Sequence, residues 1–408
     1  MSVVAEEQSH TGMRAQYFRR FEDIPAAFQA LLAEQEKRDF FNGLGWYRNF
    51  SATCLEERAM PLFVCIEDAS GPCGFLAMRS PAGQNGSELA HQFIGRHSFA
   101  SLTNHQSLRF APVIAPHVAD VDAVAAVLAR ALFDHSPTPS LIDLTHLDPQ
   151  ARGVAPFIQA MRKAGFNVFE YDYRPYRCER LEGKSYKDYI ASRSSNTRRA
   201  AGSMRRKIEK LEGFRAELVT DMTDIEQRIA DYQKVHAKSW KEPEPFPLHT
   251  PGVIREAARA GALRLVVLYV KDDPIATNIA FVTGGRSIGY KHHFDPDYGK
   301  LEAGKVAMCY ILEQVIDVDR VQEIDFGVGD EPAKHQWVFE TRTLRGVAAF
   351  NPRSLEGLVA ATNYLGRAAY GDAKRLVKGA VRSLIKPGPQ KSEVRSPGDR
   401  ASAADAKE

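Results

Sequence analysis

The stretch "SIGYKHHFDPDYGKLEAGKVAMCYILEQVI", residues 287–316, decides the reading of this chain. It runs from a strand-like segment through a glycine-containing turn into an amphipathic run, in which Val306, Tyr310, Leu312, Val315 and Ile316 fall broadly at helical spacing. Gly299, Gly304 and Lys305 also match the G-x-x-x-x-G-K spacing of nucleotide-binding loops, but such a loop needs Ser or Thr next to ligate magnesium, and Val306 stands there. The spacing does not make an ATP site. Unpaired amides at the start of a helix favour a phosphate without magnesium. Gly304 permits close backbone approach, and the charge of Lys305 opposes the helix dipole and so gains from a bound anion. We expect Glu302, Ala303, Gly304, Lys305 and Val306 to form a phosphate-holding turn.

The strand before the turn and the segment after the helix carry the titratable groups. Transfer of a group to an amine or hydroxyl needs a base for the nucleophile's proton and an acid for the leaving group, and histidine titrates nearest neutrality. Strict alternation puts Tyr290 and His292 on one face and Lys291 and His293 on the other, so His292 is the expected catalytic base with Tyr290 as acid. In "DFGVGDEPAKHQW", residues 325–337, Asp325 ends an apolar strand before the pliant Gly327 and Gly329. It is a third catalytic candidate, with Lys334 placed to hold a substrate anion or to pair with Asp325. Asp330, His335 and the strand-distant Trp240 complete the candidate substrate contacts.

The pattern around this stretch occurs twice. "MRAQYFRRFEDIPAAFQALLAEQ" (13–35) and "FRAELVTDMTDIEQRIADYQKVHAKSW" (214–240) each read as a strand, an acidic cap and a helix, closed by Trp46 in the first copy and Trp240 in the second. Hairpins follow at 62–80 and 263–285, and later strands carry the pairs Ile142–Asp143 and Ile324–Asp325. Duplication predicts an α/β fold with two mixed, mostly antiparallel sheets. The expected organisation is a tail over 1–12, a first domain over 13–190, a basic helix over 191–212 capped by Ser194, Ser195 or Asn196, a second domain over 213–355, a helical segment over 356–386 and a disordered tail over 387–408. Arg198, Arg199, Arg205, Arg206 and Lys207 give the linking helix a phosphate-attracting character.

Global properties narrow the classes. The chain has 408 residues, and 54 Lys and Arg balance 51 Asp and Glu, so a general DNA-binding surface is not expected. Five cysteines without a C-x-x-C pair suit a reducing compartment, and the acidic first residues lack the features of a secretory leader, so a cytoplasmic location is expected. His91, His97 and His105 do not follow zinc-ligand spacing, and no metal is expected. A basic amphipathic run at 368–386 offers a face for a membrane surface or a partner protein, with packing on its own domain as the bland alternative.

Strand, turn and helix in this order resemble the GCN5-related N-acetyltransferase (GNAT) fold. The succession from Trp240 to Trp337, with "FFNGLGWYRNF" at 40–50, resembles more closely the tandem GNAT-like acyltransferases of cellulose and exopolysaccharide biosynthesis (CelD-type), relatives of the Fem-type peptidoglycan aminoacyltransferases. The resemblance implies acetyl-CoA or another acyl-CoA as co-substrate, bound by the second domain, and an amino sugar or other glycan precursor as acceptor. It also implies matching roles for Asp325 and Lys334, and substrate contacts from Trp46, Arg96 and Arg109 of the first domain. The family's turn reads Ser-Pro-Gly, and here Glu302 and Ala303 precede Gly304, placing a carboxylate where a diphosphate would lie. Two other readings stay open: a Fem-type aminoacyl-tRNA-dependent peptidyltransferase, and a GNAT-like partner of a polysaccharide synthase that catalyses nothing.

Overall fold

The computed structural model describes residues 6–8, 12–55, 59–80 and 98–366. Arg96, His91, His97 and the basic run at 368–386 lie outside the described residues.

The first copy begins with strands β1 (Glu6–Gln8) and β2 (Arg14–Phe18), followed by helices α1 (Ala26–Glu36) and α2 (Leu44–Thr53). The hairpin β3 (Pro61–Asp68) and β4 (Gly71–Arg79) comes next, then β5 (Ser98–Ser101) and the short β6 (Val113–Ile114). Helix α3 (Val121–Phe133) leads to β7 (Leu141–Leu147), and α4 (Val154–Ala164) leads to the long β8 (Asn167–Arg180). Helices α5 (Tyr186–Ala191), α6 (Ser195–Arg199) and α7 (Arg205–Ile208) link the copies, the last two joined through a π turn at Ala200–Met204. Ser194 caps α6 by accepting from the Thr197 amide.

The second copy repeats the order: β9 (Phe214–Val219), α8 (Ile225–Lys238), α9 (His249–Arg259), β10 (Leu263–Val270), β11 (Asp273–Thr283) and β12 (Arg286–Phe294). Helix α10 (Ala303–Glu313), β13 (Glu323–Val328), α11 (Pro332–His335) and β14 (Glu340–Phe350) complete it. Apolar residues on successive strands bury one face against α8 and α9, as with Leu265, Val267 and Phe281. The alternating positions, such as Val266, Leu268 and Ala280, bury the other face against Val306, Ala307 and Ile311 of α10.

One sheet carries both copies, in the order β1-β2-β3-β4-β5-β7-β14-β8-β13-β12-β11-β10-β9. The central pair is exchanged. β14 of the second copy pairs with β7 of the first, while β8 of the first pairs with β13 of the second, and β8 and β14 run antiparallel to one another along their length. Among the described residues only two strand pairs are parallel, β5 with β7 and β12 with β13, one in each copy. Each encloses a helix in the chain, α3 or α10, as a parallel connection requires. Among the described residues no helix is long and apolar enough to cross a membrane.

Candidate functional site

The parallel strands β12 and β13 pair over only three positions, Arg286 with Glu323, Ser287 with Ile324 and Ile288 with Asp325. Beyond them the strands part. β13 turns away at Gly327, whose φ of +71° lies in the left-handed region, and the Gly327 amide donates to the Asp325 carboxylate at 2.7 Å. A β-carbon at 327 would stand 3.0 Å from the Gly289 carbonyl oxygen, so the strands diverge from a tight contact. On the other side, β12 bulges against β11: Gly289 faces Ala280 and Lys291 faces Ile279, which leaves Tyr290 as the extra residue.

The bulge corrects the expected alternation. Tyr290 turns toward the first copy and packs its ring on Phe41, Trp46 and Phe281, with centroids 6.2, 6.4 and 5.1 Å away. Burial, with Glu244 nearby, raises its hydroxyl well above the ordinary tyrosine value. Lys291, next in the chain, pairs with Glu244 at 2.7 Å. His292 lies across from Asn278, whose amide donates to Met308 of α10, so His292 shares the α10 face and not that of Tyr290. His293 is buried against Tyr232 and His236. The proton-transfer pair expected from sequence is thus split across the sheet.

His292 is open to solvent but flanked by protein; that enclosure, then Lys241 and Lys334, lowers its pKa. The imidazole is then neutral at pH 7. Lys241 donates to the His292 carbonyl at 2.7 Å, and burial followed by the Lys291 charge brings its ammonium down to about 8.

Asp325 is fully buried and faces no opening. Its carboxylate pairs with the guanidinium of Arg109, from the first copy, and Lys334 does not reach it. Lys334 donates to the carbonyls of Val328 at 2.7 Å and Gly327 at 3.3 Å and pairs with Glu331 at 2.9 Å, so it braces the turn after β13. Asp330 accepts from Arg177 at 3.2 Å and meets His335 at 2.8 Å. Trp240 is 75% exposed. It opens the proline-rich strap 239–248, whose Phe246 stacks on His105 of the first copy at 6.0 Å. Trp46 is buried in the aromatic cluster between the copies.

The phosphate turn is placed beside the parted strands. Glu302 adopts a left-handed backbone (φ +54°) and provides no side-chain cap for α10. The amides of Lys305 and Val306 both donate to the Glu302 carbonyl, whereas those of Ala303 and Gly304 have no acceptor among the described residues. Val306 is therefore not a donor to any ligand; its side chain is core. A β-carbon at 304 would lie 2.8 Å from the Phe294 ring, so glycine is required by close packing. The Glu302 carboxylate is held by Arg199 at 2.6 Å and Lys305 at 3.3 Å, and its second oxygen is buried without a partner. Two cations therefore hold one carboxylate, one residue before two amides that have no acceptor among the described residues. These groups fit an anionic diphosphate if Glu302 yields the two cations.

Part of the charge of the linking helix is engaged within the chain, while Arg206 and Lys207 stay exposed. Arg198 donates to the Arg193 carbonyl, Arg199 pairs with Glu302, and Arg205 bridges Glu209 and Glu313. Among the described residues no cluster of three or more His, Cys, Asp or Glu side chains is placed to hold a metal ion.

Residues 195–335 match the family model of an acetyltransferase (GNAT) domain. No curated protein sequence matches the chain at a significant level. Among solved structures, FemX is similar at 9% identity, covering 81% of this chain and 97% of that one with a TM-score of 0.51. A tandem GNAT protein from the clavulanic acid biosynthesis pathway is similar at 10% identity over 82% of this chain and 98% of its own, with a TM-score of 0.41. The C-terminal domain of a putative lysylphosphatidylglycerol synthetase from Agrobacterium fabrum is similar at 13% identity over 74% and 88%, with a TM-score of 0.47. At these identities the likeness extends to the fold alone. The α/β architecture with a mixed, mostly antiparallel sheet and a GNAT domain in the second copy is the one expected from the sequence, except that one continuous sheet stands where two were expected.

Proposed function

We propose that the chain transfers an acyl group from acyl-CoA, bound by the second copy, to an amine or hydroxyl of a small acceptor. The observation that carries this reading is the parting of β12 from β13 beside the uncapped start of α10. A GNAT-domain match over the same residues supports it.

The residues divide as follows. The Ala303 and Gly304 amides, with Lys305 and Arg199, hold the diphosphate of the donor; Glu302 gives up its cations to it. Strand-end amides along the parted edge of β12 face the thioester carbonyl and stabilise its developing charge. The donor supplies an activated acyl group. Neutral His292, on the α10 face of β12, accepts the nucleophile's proton directly or through water, and Lys241 beside it stands ready to protonate the departing thiolate. Asp325 and Tyr290 take no part in proton transfer, since one is ion-paired and both are buried. Trp240 and Phe246 on the strap offer aromatic faces to a sugar ring, consistent with an amino sugar or polysaccharide precursor, in the cytoplasm, in cellulose or exopolysaccharide synthesis. Association with a polysaccharide synthase or a membrane surface belongs to the same reading.

Calorimetric titration with acetyl-CoA tests the donor, and thiol release with a panel of amino sugars tests the acceptor. Saturable heat with the native chain, lost on Lys305→Glu, is the expected result. A flat titration up to millimolar acetyl-CoA rejects the donor.

A further inference from the structure

The opening in the second copy is held from the first. Residues 102–112 of the first copy close their own parallel pair: Phe110 bridges to Leu147 at the end of β7, with the Phe110 amide donating to the His146 carbonyl at 2.8 Å and the Asp148 amide donating back at 3.2 Å. The two residues before Phe110 reach across the copies. Leu108 lies against Gly327, where a β-carbon would stand 3.4 Å from its Cδ1. Arg109, 1% exposed, lays its guanidinium 3.9 Å from the centre of the Tyr176 ring and pairs with Asp325, which is 0% exposed.

A short belt of charge continues from there. Arg109 Nε is 3.4 Å from Asp148; Asp148 meets Arg286 at 3.2 Å; Arg286 meets Glu323 at 2.9 Å. Arg286, Glu323 and Asp325 are positions of the three-residue paired segment of β12 and β13. The belt therefore clamps the part of the two strands that stays together. Where it ends, at Asp325, the Gly327 amide turns onto the same carboxylate and β13 leaves β12.

We propose that Arg109 is a positioning residue for acyl transfer in the second copy: by holding Asp325 it fixes where β13 leaves β12, and so sets the width of the cleft that the acyl-bearing arm of the donor enters. The inference rests on the donor reading above. Arg109 touches no reacting atom; it acts through Asp325 and Gly327. The first copy thereby contributes to donor binding.

The test compares the native chain with Arg109→Met/Asp325→Asn, in which both members of the ion pair are neutral and no buried charge is orphaned. Two quantities are read: acetyl-CoA affinity by calorimetry, and amide hydrogen exchange at 289–292 and 327–329 without ligand. Leu132→Ala, in the core of α3, controls for general loss of stability. The expected result is affinity lower by tenfold or more, with exchange at both segments faster by a similar factor and unchanged in the Leu132 variant. Affinity within twofold of native, or native-like exchange at both segments, overturns the proposal. If the native chain itself binds no acetyl-CoA, the donor reading fails and exchange alone decides whether Arg109 holds the strands. If the double variant does not fold, Arg109→Lys keeps the charge but loses the planar fork; native affinity in that variant overturns the proposal, and a severalfold loss upholds it.

Discussion

The two copies build the same corner and finish it in opposite ways. In each, a parallel strand pair holds together for three residues, β5 with β7 and β12 with β13, and a helix lies between the two strands in the chain. In the first copy that helix, α3, is capped by its own Asp120, which accepts from the Ala123 amide at 2.9 Å, and the strand gap is filled by the chain at Phe110. In the second, α10 has no side-chain cap and the strands separate. On the proposed function, a side chain of the protein does in the first copy what the donor does in the second. The two corners would then serve stability and binding, and the choice lies in a few residues.

Several measurements would break or sharpen this contrast. The largest effect is expected at the seam that joins the corners. Trp46→Ala removes a side chain buried among Phe40, Phe41, Phe50, His249 and Tyr290 and should cost about 3–5 kcal/mol in urea unfolding. A loss no larger than that of a surface substitution would mean that the copies do not depend on each other. Next, Lys305→Glu adds a second carboxylate to the open corner and should weaken acetyl-CoA binding about 10- to 100-fold, with little change in melting temperature.

Buried histidines supply a pH test that covers both copies. Burial depresses His146 in the first copy to about 3 and His249 in the second to about 4, from an ordinary value of 6.5. Below 6.5 the unfolded chain takes up these protons and the folded chain does not, so stability is lost as pH falls from 6.5 toward the folded values. At pH 5 each should account for on the order of 1–2 kcal/mol, and the histidine-to-glutamine variants should flatten the profile. Asp120→Ala, which removes the cap of α3, should cost about 1 kcal/mol. The smallest effect is expected for Glu302→Gln: stability unchanged within about 0.5 kcal/mol, but acetyl-CoA bound severalfold more tightly, because Arg199 and Lys305 no longer have a competing anion. Tighter binding from Asp120→Ala instead would reverse the assignment of the corners.

Much of this was legible in the sequence. Alternation and turn residues disclosed the hairpins, the repeated Ile-Asp pairs marked the parallel strands β7 and β13, and the glycine before an amphipathic run placed the start of α10. Local patterns failed where partners are distant or spacing is irregular. The bulge at Tyr290 adds one residue to a strand, and alternation cannot show that, so His292 was placed on the wrong face relative to Tyr290. Arg109 and Asp325 are 216 residues apart in the chain, and neither segment names the other. Lys334, expected to hold a substrate anion or to pair with Asp325, is instead taken up by backbone carbonyls, which leave no trace in residue identity. The exchange of β8 and β14 belongs to the same class, since the partners of each strand lie in the other copy, far away in the chain.

That exchange sets a timetable for biosynthesis. When β8 leaves the ribosome, its neighbours β13 and β14 do not yet exist, and the edge of β7 waits for a strand encoded some two hundred residues later. The nascent first copy therefore carries three unpaired borders, one on β7 and two on β8, for as long as the second takes to be translated, so its need for chaperones should peak midway through synthesis and end abruptly with residue 350.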